Sequence, residues 1–326
     1  MSNSTLSALA IMSYRRGVGS RGLTEFIERL CEELVSTGYA HIIDQFSNIW
    51  LTTDSSSRTL FTAHTDTVHS ADSPAKQEIL FDSSLRCAFK EDGSPLGADD
   101  GIGIWLLLEM IYAGIPGTYV FYHGEERGGI GSSASSEAHK DIYTKFDRAI
   151  ALDRAGTSDV ITHQSWGRCC SDAFAIALAE QLGGTFKPCD GGVFTDTANL
   201  ATLVPECTNL SVGYEAQHSQ HETQDMEFAE DFLLPALLKV AWENLPTERD
   251  PNEIEDYSWG NSNWQDTHIY SARYYTPITC NSLTEFMQLT DVEIEQMVDF
   301  DAAAAVEVML MLRDTLYSCY DLEGTV

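Results

Sequence analysis

Basic residues are the first shortage in this 326-residue chain: 19 Lys and Arg stand against 50 Asp and Glu, a formal net charge of −31. Such a surface repels nucleic acid and anionic membranes, so neither is expected as a partner. Lysine is scarcest of all, which fits a salty environment as well as plain solubility. Long apolar runs are also missing. No window reaches the roughly 18 uninterrupted apolar residues that a membrane helix needs. In MSNSTLSALAIMSYRR the charges follow a short apolar stretch, the reverse of a signal peptide, and a cytoplasmic location is expected. Cysteine pairs are the third absence. Cys31, Cys87, Cys169, Cys170, Cys189, Cys207, Cys280 and Cys319 form no CxxC, so free and mostly buried thiols are expected and thiolate-held zinc is disfavoured.

What is present is a 43% hydrophobic chain, enough for one large domain with an appendage. Helices are predicted over 3–15, 23–37 and 173–183. In the second, Phe26, Ile27, Leu30, Leu34 and Val35 recur at helical spacing until Gly38. GIGIWLLLEMIYAG reads as a buried helix. HIIDQFSNIWLTT reads as two strands around Ser47-Asn48, RTLFTAHTD as a strand running into His64, and TYVFYHGEE and DRAIALD as strands ending in acid. Residues 70–90 read as a polar loop with room for an edge hairpin, NLSVGY as a strand, and 222–245 as an apolar helix with a kink at Pro235. The alternation argues for an α/β fold: a mixed, mostly parallel central sheet flanked by helices. In such sheets ligands gather beyond the carboxyl ends of the strands. Composition divides the chain near 248 into a catalytic domain, 1–248, and an acidic extension, 249–326. The extension holds 15 acidic and 3 basic residues, a net of −12, together with Trp259, Trp264, Tyr270, Tyr274 and Tyr275. Helix is predicted over 282–319.

Five short runs place His or carboxylate at these strand ends. His64-Thr-Asp66 puts two polar side chains on one face of a strand, where Asp66 can orient the imidazole; alone, HxD is commonplace. Asp99, in GADDG, can bridge two cations or simply cap a helix. Glu125 and Glu126 are consecutive, so one can bind a cation while the other moves protons. Asp153 ends an apolar strand, where an unpaired carboxylate is costly. His218 and His221, in HSQHE, both offer imidazole, and Glu222 can start the next helix. The order His, Asp, Glu-Glu, Asp, His, at intervals of 35, 27, 27 and 65 residues, carries more than any member.

That series resembles the co-catalytic zinc exopeptidases, the superfamily of bacterial leucyl aminopeptidases, peptidase T and carboxypeptidase G, over roughly residues 5–245. The resemblance implies two divalent metal ions, zinc first, with manganese or cobalt as alternatives. It implies that Asp99 bridges them, that His64 and Asp153 complete one site, and that Glu126 and His218 complete the other. His218 is preferred to His221 because HSQHE matches the His-Ser-x-x-Glu block in register. Asp66 would orient His64, Glu125 would be general base and acid, and Asp100 would follow Asp99 through a cis peptide.

One departure matters. Branches with a lid or dimerisation domain insert it before the last His, but only 64 residues separate Asp153 from His218. The expectation is the single-domain aminopeptidase architecture, with the aromatic extension as a candidate rim of the cleft. The leading function is an aminopeptidase acting on a peptide or amide substrate, with Asp196 and Tyr214 as candidate substrate wall. An N-acyl amino acid deacylase would use the same metals. A non-catalytic, metal-stabilised module would need the ligands but not the free Glu125. Sequence alone leaves the oligomeric state open.

Overall fold

The computed structural model describes residues 2–164 and 167–253, so the aromatic segment and the helices expected beyond 253 lie outside the described residues. In chain order the elements are α1 (Asn3–Met12), α2 (Arg21–Ser36), β1 (His41–Ile43), β2 (Ile49–Thr52), β3 (Thr59–His64), β4 (Leu80–Asp82), β5 (Cys87–Phe89) and α3 (Ala98–Tyr112). They continue with β6 (Thr118–Tyr122), α4 (Ile130–Ala138), α5 (Lys140–Tyr143), β7 (Arg148–Arg154), β8 (Asp159–Ile161), β9 (His163–Gln164) and β10 (Gly167–Arg168). Last come α6 (Asp172–Leu182), β11 (Lys187–Cys189), β12 (Glu206–Ser211), β13 (Tyr214–Glu215), β14 (Thr223–Asp225) and α7 (Leu234–Leu237).

Eight strands form one sheet in the order β1-β2-β6-β3-β7-β12-β8-β11. The central four, β6, β3, β7 and β12, run parallel. β2 joins β6, and β8 joins β12, antiparallel. Every residue of β3, β6 and β12 is buried, as expected of parallel strands covered on both faces. The strand period of two assigns side chains to two cores. Phe61, Ala63, Tyr119, Phe121, Ile150 and Leu152 face the larger core, under α1, α2, α3 and α6. Leu60, Val120, Tyr122 and Ala149 face the smaller one, with Tyr143 and Leu200.

Local sequence explains the helices. Ser20 caps α2 by accepting the Leu23 N–H, and Leu23, Phe26, Leu30 and Leu34 form its buried stripe. α3 is buried nearly all round, matching its unbroken apolar run. Between Asp153 and His218 the described residues return β8, β11 and β12 to the same sheet and form no second domain. The six described cysteines are all free. Among the described residues no helix is long and apolar enough to cross a membrane.

A second, antiparallel sheet, β13-β14-β5-β4, holds the hairpin expected within 70–90. It also shortens the helix expected over 222–245. Residues Thr223–Asp225 are a strand pairing with β13 and β5, and helix begins only after them, as a π-type stretch over Glu227–Leu233 that runs directly into α7. Two causes are visible. Glu222 is drawn inward to bind backbone amides of the 96–99 loop, holding its successors extended. Pro235 lacks the N–H that an α-helical turn would use, and the wide turn precedes it.

Candidate metal centre

The carboxyl ends of the parallel strands supply the site. His64 is the last residue of β3, and Asp153 is next to last in β7. Glu125 and Glu126 do not extend β6 as expected; they open a short 3-10 turn that starts three residues beyond it. The turn still separates them, towards different histidines. Asp99 and Asp100, at the start of α3, have non-helical backbone angles and are joined by a cis peptide bond. His218 lies in the β13–β14 loop with φ 61°, a left-handed conformation uncommon for a side chain of this size.

Asp99 stands between the two histidines. Its Oδ1 is 2.9 Å from His64 Nε2, and its Oδ2 is 3.1 Å from His218 Nε2. Around His64 gather Asp153 Oδ1 at 3.5 Å and Glu125 Oε2 at 4.0 Å. Around His218 lies Glu126 Oε1, also at 3.1 Å. Asp99 therefore presents one oxygen to each half of the cluster. His221 is exposed, and among the described residues its ring hydrogen-bonds Gln220 alone.

Neighbouring residues hold this geometry. Asp66 Oδ1 is 3.7 Å from His64 Nδ1, too long for a hydrogen bond. Its carboxylate instead accepts the backbone N–H groups of Gly124 (2.8 Å), Glu125 (3.1 Å) and Glu126 (3.2 Å). The residue expected to orient His64 thus builds the Glu125–Glu126 turn. That turn needs glycine: Gly129 has φ 67°, and a Cβ there would lie 2.7 Å from Phe194 and Asn199 side-chain atoms. Asp100 is spent on the N–H groups of His64 and Gly103.

Four residues take positioning roles that the motifs did not assign them: Thr195, Asn209, Tyr214, which was expected in the substrate wall, and Glu222, which was expected to start a helix. Glu222 accepts from the N–H groups of Leu96, Gly97 and Asp99 at 2.8, 3.1 and 3.0 Å, tying the His218 loop to Asp99. Its place in HSQHE was the available signal. Asp153 is fixed by Thr195 Oγ1 at 2.7 Å, the Tyr214 hydroxyl at 3.0 Å, and Asn209, which brackets its backbone. Asn209 lies in a strand that is also polar at Glu206, Thr208 and Ser211, so nothing in the sequence singled it out. Asp196 and Tyr214, expected as substrate wall, are instead buried, at 1% and 2% exposure.

Charge is the dominant property of the cluster. Burial and the neighbouring Asp99 raise Glu126 to about 7. Burial raises Asp196 to about 8 and Glu125 well above the carboxylate range. For His64 burial opposes the charged form, but Asp153, Asp66 and Asp99 outweigh it and hold the imidazole well above its ordinary value. Hydrogen bonds to Asp99 and Glu126 raise His218 to about 11. Two buried polar atoms of the cluster, His64 Nδ1 and Glu126 Oε1, have no well-oriented hydrogen-bond partner, although His218 Nε2 lies 3.1 Å from the second. Ligand atoms of His64, Asp99 and Glu126 lie within 4.8 Å of one another, as do those of His64, Asp100 and Asp153. This imidazole and carboxylate set, with surplus negative charge and orphaned atoms, fits divalent cations.

A pH dependence follows for the cation-free chain. Glu126 (ordinarily 4.5), Asp196 (ordinarily 3.8) and His218 (ordinarily 6.5) all have folded values above their unfolded ones. The folded state then holds extra protons. The contribution of these three groups is fullest below their unfolded values and is lost as pH rises through about 7 to 8 for the carboxylates, with His218 adding to the loss up to about 11. Thermal melts in chelator should therefore fall between about pH 5 and pH 8, and added divalent cation should flatten that slope.

No protein-family model and no curated protein matches the sequence. Solved structures do. Aminopeptidase PepT from Bacillus cereus is 14% identical with TM-score 0.59, covering 72% of this chain and 97% of that one. A tripeptidase from Staphylococcus aureus is 15% identical with TM-score 0.61, covering 73% and 97%. The TET1 peptidase of Pyrococcus horikoshii, which can assemble into a tetrahedron or a large octahedral shell, is 16% identical with TM-score 0.53, covering 72% and 99%. The α/β fold, with its mostly parallel sheet, is the one these peptidases share.

Proposed function

We propose that the chain is a metal-dependent exopeptidase, an aminopeptidase, that holds two divalent cations through His64, Asp99, Glu126, Asp153 and His218. The carrying observation is Asp99, whose two oxygens each meet a different histidine while Glu125 stands 4.0 Å from His64. Zinc suits the mixed imidazole and carboxylate donors, and manganese or cobalt would also fit. When bound, the cations acidify water and polarise a carbonyl. Glu125 then takes the proton of the attacking water and delivers it to the nitrogen of the leaving amine. Asp66 keeps Glu125 in place through three backbone amides, and Glu222 does the same for Asp99. The free thiols fit a cytoplasmic setting.

Charge also favours an N-terminal substrate group over an acid. Asp66, Asp99, Asp100, Glu125, Glu126 and Asp153 crowd one region, and two divalent cations would offset four of these six formal charges; the acidic excess that remains favours a peptide ammonium over a free carboxylate. One observation supports the deacylase alternative: Arg127, exposed on the same turn as Glu125, could receive the carboxylate of an N-acyl amino acid. A panel of aminoacyl-nitroanilides and N-acyl amino acids separates the two. Cleavage of the former by at least about 10-fold in kcat/KM, or about 1.4 kcal/mol, is expected. The reverse preference would assign the site to deacylation.

A further inference from the structure

Arg16 lies four residues beyond α1 and is fully buried. Its three side-chain hydrogen bonds all go to backbone carbonyls: Nε to Thr65 at 3.0 Å, Nη1 to Ile11 at 3.1 Å and Nη2 to Gly97 at 3.1 Å. Its own backbone exchanges hydrogen bonds with Thr67, N–H to Thr67 Oγ1 at 3.2 Å and carbonyl from Thr67 N–H at 3.1 Å. The guanidinium carbon is 5.1 Å from the centre of the Phe26 ring. A Cβ on Gly101 would meet Nη2 at 3.2 Å, so the guanidinium is packed beneath the start of the Asp99-Asp100-Gly101 segment.

A full charge without a directly bonded counter-charge is costly to bury. The charges that compensate it belong to Asp100, Glu222, Asp66 and Asp99, all within or beside the proposed centre. Thr65 follows His64, and Gly97 precedes Asp99 by two residues, so the same side chain also grips the backbone next to two proposed ligands. We propose that Arg16 is a positioning residue that acts as a built-in counter-cation of the metal centre, offsetting part of its carboxylate charge from the side opposite the cations. This rests on the two-cation reading above. Arginine suits the position because its planar fork reaches three carbonyls and stays charged when buried, which a lysine does less well.

The proposal separates charge from scaffolding. While no cation is bound, Arg16 faces the buried acids together with the raised imidazoles of His64 and His218, and its charge is the one among these three that no cation displaces; once cations bind, its charge matters less. A neutral replacement should then damage the chelated chain more than the loaded one. The test is thermal melting of the full chain in chelator and in excess zinc, for wild type, Arg16→Lys, Arg16→Gln and the double variant Arg16→Gln/Asp100→Asn. The zinc-induced rise in Tm should be larger for Arg16→Gln than for wild type by about 5 °C. For Arg16→Lys, which can carry the charge but holds it less firmly, it should lie between wild type and Arg16→Gln and approach wild type as the pH of the melt is lowered. Equal losses for Arg16→Gln in both conditions would reduce the residue to scaffolding and overturn the proposal. If Arg16→Gln does not fold in either condition, the double variant decides. Recovery of a folded chain on removal of the facing charge supports the electrostatic role, and no recovery overturns it. A wild-type chain whose Tm ignores zinc would instead count against the two-cation reading itself.

Discussion

Glu125→Gln should lower kcat on an aminoacyl-nitroanilide by about 100- to 10,000-fold, the usual worth of a positioned proton carrier. The bound metal should stay, because Glu125 supplies no proposed ligand atom. Gln keeps the size of the side chain and loses only the ability to take a proton. The turn should not move either, since Asp66 grips it through the backbone N–H groups of Gly124, Glu125 and Glu126. Burial holds the Glu125 carboxyl well above its ordinary value, which brings it towards the range where it can both accept and return a proton near neutral pH. KM should change little, as the lost interaction belongs to the transition state. Steady-state kinetics with metal analysis of the same samples checks both halves. Activity within a few-fold of wild type would remove Glu125 from the chemistry.

The second large effect is expected at Asp99. Asp99→Asn keeps the shape but removes the charge shared by both halves of the cluster, and one of its two oxygens. Because Oδ1 meets His64 and Oδ2 meets His218, neither half should survive intact. Affinity for both cations should fall by more than about 100-fold, beyond the usual cost of losing a neighbour that only supports a ligand. Activity should fall with it. The chelated protein should suffer less, since Asp99 also pushes up the carboxyls of Glu126, Asp153 and Glu222, and its neutralisation relieves that repulsion.

The sheet was legible because β3, β6 and β7 are largely apolar runs that stop at polar punctuation, and fold logic puts chemistry where they stop; β12 is polar at Glu206, Thr208, Asn209 and Ser211 and gave a weaker signal. His64, Asp99, Glu125, Glu126, Asp153 and His218 all meet within one cluster for that reason. The supporting residues were harder. Glu222 looked like the first residue of a helix, and only the three-dimensional approach of the 96–99 loop turns it into an acceptor for three amides. Asp66 was expected to serve His64, two residues away, but its hydrogen bonds go to a turn nearly sixty residues on. Arg16 carries no periodic or motif signal, because its partners are carbonyls, which every sequence has. Tyr214 and Asp196 were read as a wall from their nearness to the last motif, and burial decides otherwise.

The most direct measurement is a zinc titration of the chelated chain, read as hydrolysis of an aminoacyl-nitroanilide. Two cations sharing Asp99 predict that wild-type activity rises from baseline to a plateau at about two equivalents of zinc per chain, while Asp99→Asn stays near baseline throughout. Full activity without added metal, or a wild-type chain inactive at every ratio, would contradict the two-cation centre.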